Sequence, residues 1–261
     1  MSSKFKPRTV LLIPDVHAKA DDALERFGAL WVWLRARDAS IDKIVQIGDL
    51  WDFESLCTHD KESPEWHRRS LADDIDAGFR ALDRILDIAN DFDVPAQDVH
   101  LTLGNHDDRY DKFMKSDNRL LTSDFPKTIR ALIGQRRPYT PLRVHPFLKP
   151  AVIYGTAFSH YFVSGVMGRA QGGENHAASL LRTQHMSCIC GHSHLMSSAV
   201  RTKADGSKIY AHVAGCFVDP DGDFAYAGAA RRLWWNGCHL LHFTAPGEFD
   251  IETISIERLS K

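Results

Sequence analysis

Three short apolar runs, residues 9–14, 43–47 and 99–103, constrain the fold of this chain most, because each ends in a polar turn and two are followed by long helical patterns. Val10, Leu11, Leu12 and Ile13 leave no polar face, so the first run reads as a strand buried on both sides. From residue 20 to 37, Leu24, Phe27, Leu30, Trp31 and Leu34 recur at three- and four-residue spacing, opposite Asp21, Asp22, Glu25, Arg26, Arg35 and Arg37. That is the pattern of an amphipathic helix. Leu71, Ile75, Phe79, Leu82, Ile85, Leu86 and Ala89 repeat it on a second helix, closed off by Pro95. Strands alternating with helices predict βαβ crossovers and a mostly parallel sheet covered on both faces.

The second half is less regular. Residues 120–133 predict a short helix after a turn at Pro126, and residues 136–150, with Pro138, Pro141, Pro146 and Pro150, an extended connector or cap. Residues 151–154 and 157–159 read as one strand bent at Gly155 and ending at His160, and residues 187–190 as another ending at Gly191. A helix over 175–184 lies between them. From residue 208 the alternation is of the β kind, with turns at 219–222 and 245–247, so a second set of strands is expected there.

The chain has 261 residues, is 44% hydrophobic and carries a formal net charge of -2, which excludes a single-sign field gathering nucleic acid or anionic membrane nonspecifically. The five cysteines, Cys57, Cys188, Cys190, Cys216 and Cys238, are an odd number without dense spacing, and predict reduced thiols rather than a disulfide framework. The start is polar and basic, and nowhere do eighteen apolar residues run together. A soluble cytoplasmic protein with no membrane partner is expected, folded as a single domain over residues 1–261.

Five polar clusters stand in order at the ends of apolar runs: Asp15-x-His17, Gly48-Asp49, Gly104-Asn105-His106-Asp107, His160, and Gly191-His192-x-His194. In an open α/β sheet the crevice beyond the carboxyl ends of the strands gathers residues that are distant in sequence. Asp, His and Asn offer hard oxygen and borderline nitrogen donors suited to Mn, Fe, Zn or Ni, and the clusters hold no cysteine for a structural thiolate zinc. Each pair alone also describes an ordinary turn; the ordered set describes a hydrolytic bimetal site. His160 has no motif around it, and His145, His176 and His185 are its rivals, but it follows a strongly apolar run.

These blocks, spanning Asp15 to His194, resemble the calcineurin-like metallophosphoesterase family. The resemblance implies an α/β (α+β) fold, a β-sandwich flanked by helices in four layers, which also accounts for the β-rich tail. It implies two divalent metal ions, Mn first, with Fe, Zn, Ni and Mg as alternatives. Asp15, His17 and His194 would hold one, Asn105, His160 and His192 the other, and Asp49 would bridge them. It further implies hydrolysis of a phosphate ester by a metal-bridging hydroxide, with His106 protonating the leaving oxygen and Asp52 orienting His106. Asp52 also reads as a plain loop carboxylate, and Arg109, a candidate phosphate contact, as a solvated loop residue.

The reaction does not fix the substrate. Cap segments are expected at about 51–69, which holds Phe53, Trp66 and His67, and at 136–150. Where the protein-phosphatase branch places Arg-Gly after its Gly-Asp-x-x-Asp, this chain has Phe53-Glu54. Loss of a guanidinium penalises a dianionic monoester more than a monoanionic diester, so a phosphodiester of nucleotide or nucleic-acid type is expected as substrate. Trp51 and Phe53 could wall a base or simply pack in the core. A phosphomonoesterase or serine/threonine protein phosphatase is the alternative, and a non-catalytic scaffold of the same fold is a second.

Overall fold

The computed structural model describes residues 5–57, 67 and 69–261. The chain runs β1 (Arg8–Ile13), α1 (Glu25–Arg35), β2 (Lys43–Gln46), α2 (Leu71–Asp91) and β3 (Val99–Thr102). Then come α3 (Asp107–Lys115), α4 (Asn118–Leu121), α5 (Ile129–Arg136), β4 (Arg143–His145), β5 (Ala151–Ile153) and β6 (Thr156–Phe158). A small hairpin, β7 (Val163–Ser164) and β8 (Arg169–Ala170), precedes α6 (His176–Gln184) and β9 (Cys188–Cys190). β10 (Met196–Thr202), β11 (Lys208–Ala214), β12 (Gly237–Ala245), β13 (Glu248–Ser255) and α7 (Ile256–Leu259) follow.

One sheet has the order β13-β12-β1-β2-β3-β4, parallel from β1 to β4 and antiparallel at β12 and β13. The other has the order β10-β11-β9-β6-β5. The pleat of β1 shows how they stack. Leu11 and Ile13 share a core with Phe27, Leu30 and Leu34 of α1 and Leu82 and Ile85 of α2, while Val10 and Leu12 share another with Ile153, Phe158 and Ile189 of the second sheet. Leu180 and Leu181 of α6 cover the far face of that sheet against Cys188, Cys190 and Val213. The order is therefore helices, sheet, sheet, helix: a mixed α/β fold of four layers. Being sandwiched on both faces is what makes β1 apolar throughout.

Several expectations are corrected in detail. The first helix starts at Glu25 rather than near residue 20, because Arg80 ties down the carbonyls of Lys19, Ala20 and Asp22 and Leu24 is left-handed at φ 58°. Its buried tryptophan is Trp33; Trp31 is 36% exposed. The strand expected to bend at Gly155 is a hairpin, β5 against β6, turned by Tyr154 and Gly155 at φ 46° and 76°. A Cβ on Gly155 would lie 2.8 Å from the Gly247 nitrogen, so the turn also needs the missing side chain. The helix expected over 120–133 is α4 and α5, split around Pro126, and α3 precedes it unforeseen. The connector over 136–150 contains β4, an edge strand of the first sheet. Of the other expected cap, Trp66 and the rest of 58–66, together with Arg68, lie outside the described residues. Cys188, Cys190, Cys216 and Cys238 are buried thiols, and among the described residues no helix is long and apolar enough to cross a membrane.

Candidate metal centre

All five polar clusters lie just beyond the carboxyl ends of strands, three from the first sheet (β1, β2, β3) and two from the second (β6, β9). Side-chain and backbone contacts lace their loops together. The amides of Val16 and His17 donate to the Asp49 carbonyl at 3.0 and 2.9 Å, joining the first loop to the second. Asp107, fully buried, accepts from the amides of Gly104 (2.7 Å), Asp49 (2.9 Å) and Trp51 (3.1 Å), joining the second to the third. Asp15 accepts from the His192 amide at 2.9 Å, and Asp49 from the His106 amide at 2.9 Å. Gly104 and Gly191 leave room for this: a Cβ on either would sit 2.1 or 2.0 Å from a carboxylate oxygen of Asp49 or Asp15. His17, Asp49, His192 and His194 all have left-handed backbones, at φ 46°, 50°, 70° and 57°. Strain of this kind on non-glycine residues persists only where the surroundings over-determine it, and it clusters at functional sites.

The side chains converge in groups whose ligand atoms lie within 4.8 Å of one another: Asp15, His17 and His194; His17, Asp49 and His106; Asp49, His160 and His192. The first gathers three residues expected in one set, the third gathers Asp49 with His160 and His192, and Asn105 Oδ1 lies 2.9 Å from His160 Nε2. Asp49 Oδ2 stands 3.7 Å from His17 Nε2 and 3.2 Å from His160 Nε2, between one histidine of each set. The middle group places His106 beside His17 and Asp49, a grouping that the sequence does not predict. His145, His176 and His185 are all elsewhere: His145 pairs with His100, His176 packs beside Cys190, and His185 ends α6.

The residues fit divalent cations. Asp15 Oδ1 is a buried anionic oxygen with no hydrogen-bond partner among the described residues, a costly arrangement that a cation would relieve. Burial pushes the carboxyls of Asp15 and Asp49 up, but nearby histidines outweigh it and hold both below the usual range. His160 shows the reverse balance, since burial lowers it while Asp49 and Asp15 raise it to about 9. Such dense opposite charge, buried together, is the electrostatic signature of a site rather than of a packed core.

Beside this cluster, Asp52 Oδ1 accepts from His106 Nδ1 at 2.7 Å and from His17 Nδ1 at 2.9 Å, so one carboxylate fixes both rings. Burial opposes its charge, yet the hydrogen bonds from His106 and His17 hold Asp52 well below the ordinary value. Lys19, 9% exposed, brings Nζ to 3.5 Å from Asp52 Oδ2 and 2.6 Å from Glu54 Oε1. Arg109 is not a solvated loop residue: Nη1 donates to the Asp52 carbonyl at 2.9 Å, and Nη2 lies 3.1 Å from His106 Nε2. Sequence reasoning gave no role to Lys19 or to Asp107, although Asp107 stood inside the Gly-Asn-His-Asp block. Trp51 and Phe53 are fully buried and wall no ligand. The aromatic rings that do border the cluster are Tyr161, 4.7 Å from the His192 ring, Trp234, 4.2 Å from His194, and Phe224, 6.4 Å from His17.

No family model matches the sequence, and no curated protein matches it. Among solved structures, Pseudomonas putida nuclease MPE aligns at 14% identity over 93% of this chain and 87% of that one, with a TM-score of 0.33. Another crystal structure aligns at 12% identity over 96% of this chain and all of its own, with a TM-score of 0.37. Both are too distant to bear on the chemistry.

Proposed function

We propose that this chain is a metal-dependent phosphoesterase of the metallophosphoesterase type. The observation that carries the reading is the convergence of Asp15, His17, Asp49, Asn105, His160, His192 and His194 from five strand ends in two sheets, beside a His106–Asp52 pair. Asp15, His17 and His194 would hold one cation and Asn105, His160 and His192 the other, with Asp49 between them; the mixed nitrogen and oxygen donors suit Mn, with Fe, Zn, Ni and Mg as alternatives. Such ions supply Lewis-acid polarisation of the phosphate and an acidified water nucleophile.

The chain's own residues do the rest. Asp52 holds the His106 proton on Nδ1 and leaves Nε2 as the nitrogen that would serve the substrate. Burial lowers His106, but Asp49 and Asp52 together raise it above the ordinary value, the direction an acid catalyst needs. Arg109 can only donate, so its contact with Nε2 holds the neutral ring, and delivery of a proton from Nε2 requires that guanidinium arm to turn to the substrate phosphate.

The substrate is a phosphodiester of nucleotide type, because Phe53 lies in the core where a protein phosphatase carries its arginine. Arg109 is the specific observation in favour of the second reading, a monoesterase or protein phosphatase, since it returns a guanidinium to the site. With manganese added, kcat/KM for bis-nitrophenyl phosphate should exceed that for nitrophenyl phosphate and for a phosphopeptide, and chelation should abolish all three. Preference for the monoester and phosphopeptide selects the phosphatase; chelator-insensitive absence of turnover on every ester selects a scaffold.

A further inference from the structure

Behind the His106–Asp52 pair stands a lysine that the proposed reaction does not use. The backbone sets Lys19 there: Ala18 bridges Trp51 in parallel, its amide donating to the Leu50 carbonyl at 3.0 Å and its carbonyl accepting from the Asp52 amide at 3.4 Å. Arg80 of α2 donates to the Lys19 carbonyl at 3.1 Å and holds that backbone from outside. The side chain is buried, and its Nζ donates to Glu54 Oε1 at 2.6 Å and to the Asp223 carbonyl at 2.5 Å. Nζ also lies 4.4 Å from the centre of the Phe224 ring and 3.5 Å from Asp52 Oδ2. Its place is fixed from several sides.

Asp52 divides its two oxygens unequally. Oδ1 accepts from both His106 Nδ1 and His17 Nδ1, whereas Oδ2 is buried with no hydrogen-bond partner among the described residues. An anionic oxygen left so is costly, and any rotation of the carboxylate that relieves it disturbs the bonds to the two imidazoles. The Lys19 ammonium faces that oxygen as an ion contact and is itself clasped by Glu54. It therefore favours the one orientation of the carboxylate in which Oδ1 serves both rings.

We propose that Lys19 is a positioning residue for the acid: held by Glu54, it fixes the Asp52 carboxylate so that Oδ1 keeps the His106 ring in its working orientation. The inference rests on the phosphoesterase reading above and on the acid role of His106 within it. Lys19 touches no substrate, and its effect on turnover passes through Asp52 to His106. Removing it should therefore matter most where the leaving oxygen most needs a proton.

The test compares kcat of the manganese-loaded protein on bis-nitrophenyl phosphate and on diphenyl phosphate, whose phenol is the poorer leaving group. Lys19→Met, which keeps the length of the side chain and removes its charge, should retain the parent's metal content. It should lower kcat by about 10- to 100-fold on the phenyl ester, the usual worth of a group that orients a working side chain, and by less than about threefold on the nitrophenyl ester. Lys19→Arg should recover most of that loss, and Glu54→Gln, altered at the partly exposed end of the contact, should show the same split in weaker form. In a His106→Ala background, Lys19→Met should lower kcat little further on either ester, because both residues act on one step. Equal losses on the two esters, or an undiminished loss in the His106→Ala background, would mean that the lysine only braces the fold. Loss of manganese from Lys19→Met would mean that it holds Asp52 for His17 and would overturn the link to His106. A leaving-group split in His106→Ala with none in Lys19→Met or Glu54→Gln would overturn the role of Lys19 alone. No split in His106→Ala would remove the acid on which it rests, and no chelator-sensitive turnover of any ester would remove the phosphoesterase itself.

Discussion

At the scale of single residues, the site is organised by carboxylates that each serve more than one neighbour. Asp107 holds three loop amides, Asp52 holds two imidazoles, and Asp49 lies between histidines of both ligand sets. Replacing such a group would leave several buried donors unpaired at once, so these positions should tolerate little. His106 is different, because it belongs to neither of the proposed ligand sets. His106→Ala should therefore keep bound metal while lowering kcat by about 10²- to 10⁴-fold on an alkyl ester. The loss should be smaller on a nitrophenyl ester, whose leaving group needs less protonation. Equal losses on the two esters, with metal content intact, would argue against the acid role.

At the scale of elements, the loop after β2 is pinned from outside by α2. Trp51 donates from Nε1 to the Ile75 carbonyl at 3.1 Å, and a Cβ on Gly78 would fall 1.8 Å from that nitrogen. Gly78→Ala should thus destabilise the fold by about 1–3 kcal/mol through overpacking, despite alanine's better helix propensity, as read by urea unfolding. Stability equal to or above the parent would mean that Trp51 can move aside. The same element shows what sequence can and cannot reveal. The apolar stripe of α2 and the largely apolar strands β1, β2 and β3 were legible because a buried face leaves a pattern in the sequence. The ligand clusters were legible because each follows such a run. What was hidden depends on contacts between distant segments: the hairpin at Gly155 depends on Gly247, the late start of α1 on Arg80, and the burial of Trp51 on a missing side chain at Gly78. The left-handed backbones of His17, Asp49, His192 and His194 carry no local signal either, since only glycine advertises that conformation.

At the scale of the whole molecule, the strand ends of both sheets contribute residues to the cluster proposed to hold metal. The two sheets also meet at a buried histidine pair: His212 of β11 and His239 of β12, with Nε2 atoms 3.4 Å apart. His239 Nε2 donates to the Ala214 carbonyl, and Ser198 Oγ lies 2.8 Å from His212 Nδ1. Burial pushes His239 down to about 4 and His212 well below its usual value. Their folded pKa values lie below that of an unfolded histidine, near 6.5, so the unfolded chain binds more protons as pH falls. Stability tied to this pair is full above pH 6.5 and is lost progressively toward pH 4, on the order of 3 kcal/mol for His239. His239→Gln should flatten the fall in unfolding free energy between pH 7 and pH 4.5; an unchanged slope would mean that the pair does not set it.

Asp49 is proposed to join two cations in a hydrolytic site, and metal content measured together with turnover decides whether it does. The purified protein, loaded with manganese and desalted, should carry two ions per chain and hydrolyse bis-nitrophenyl phosphate. Asp49→Asn should lose most of both, because the amide gives up the negative charge the two cations share. An Asp49→Asn protein that keeps two ions per chain and near-normal turnover would mean that Asp49 is not the bridge.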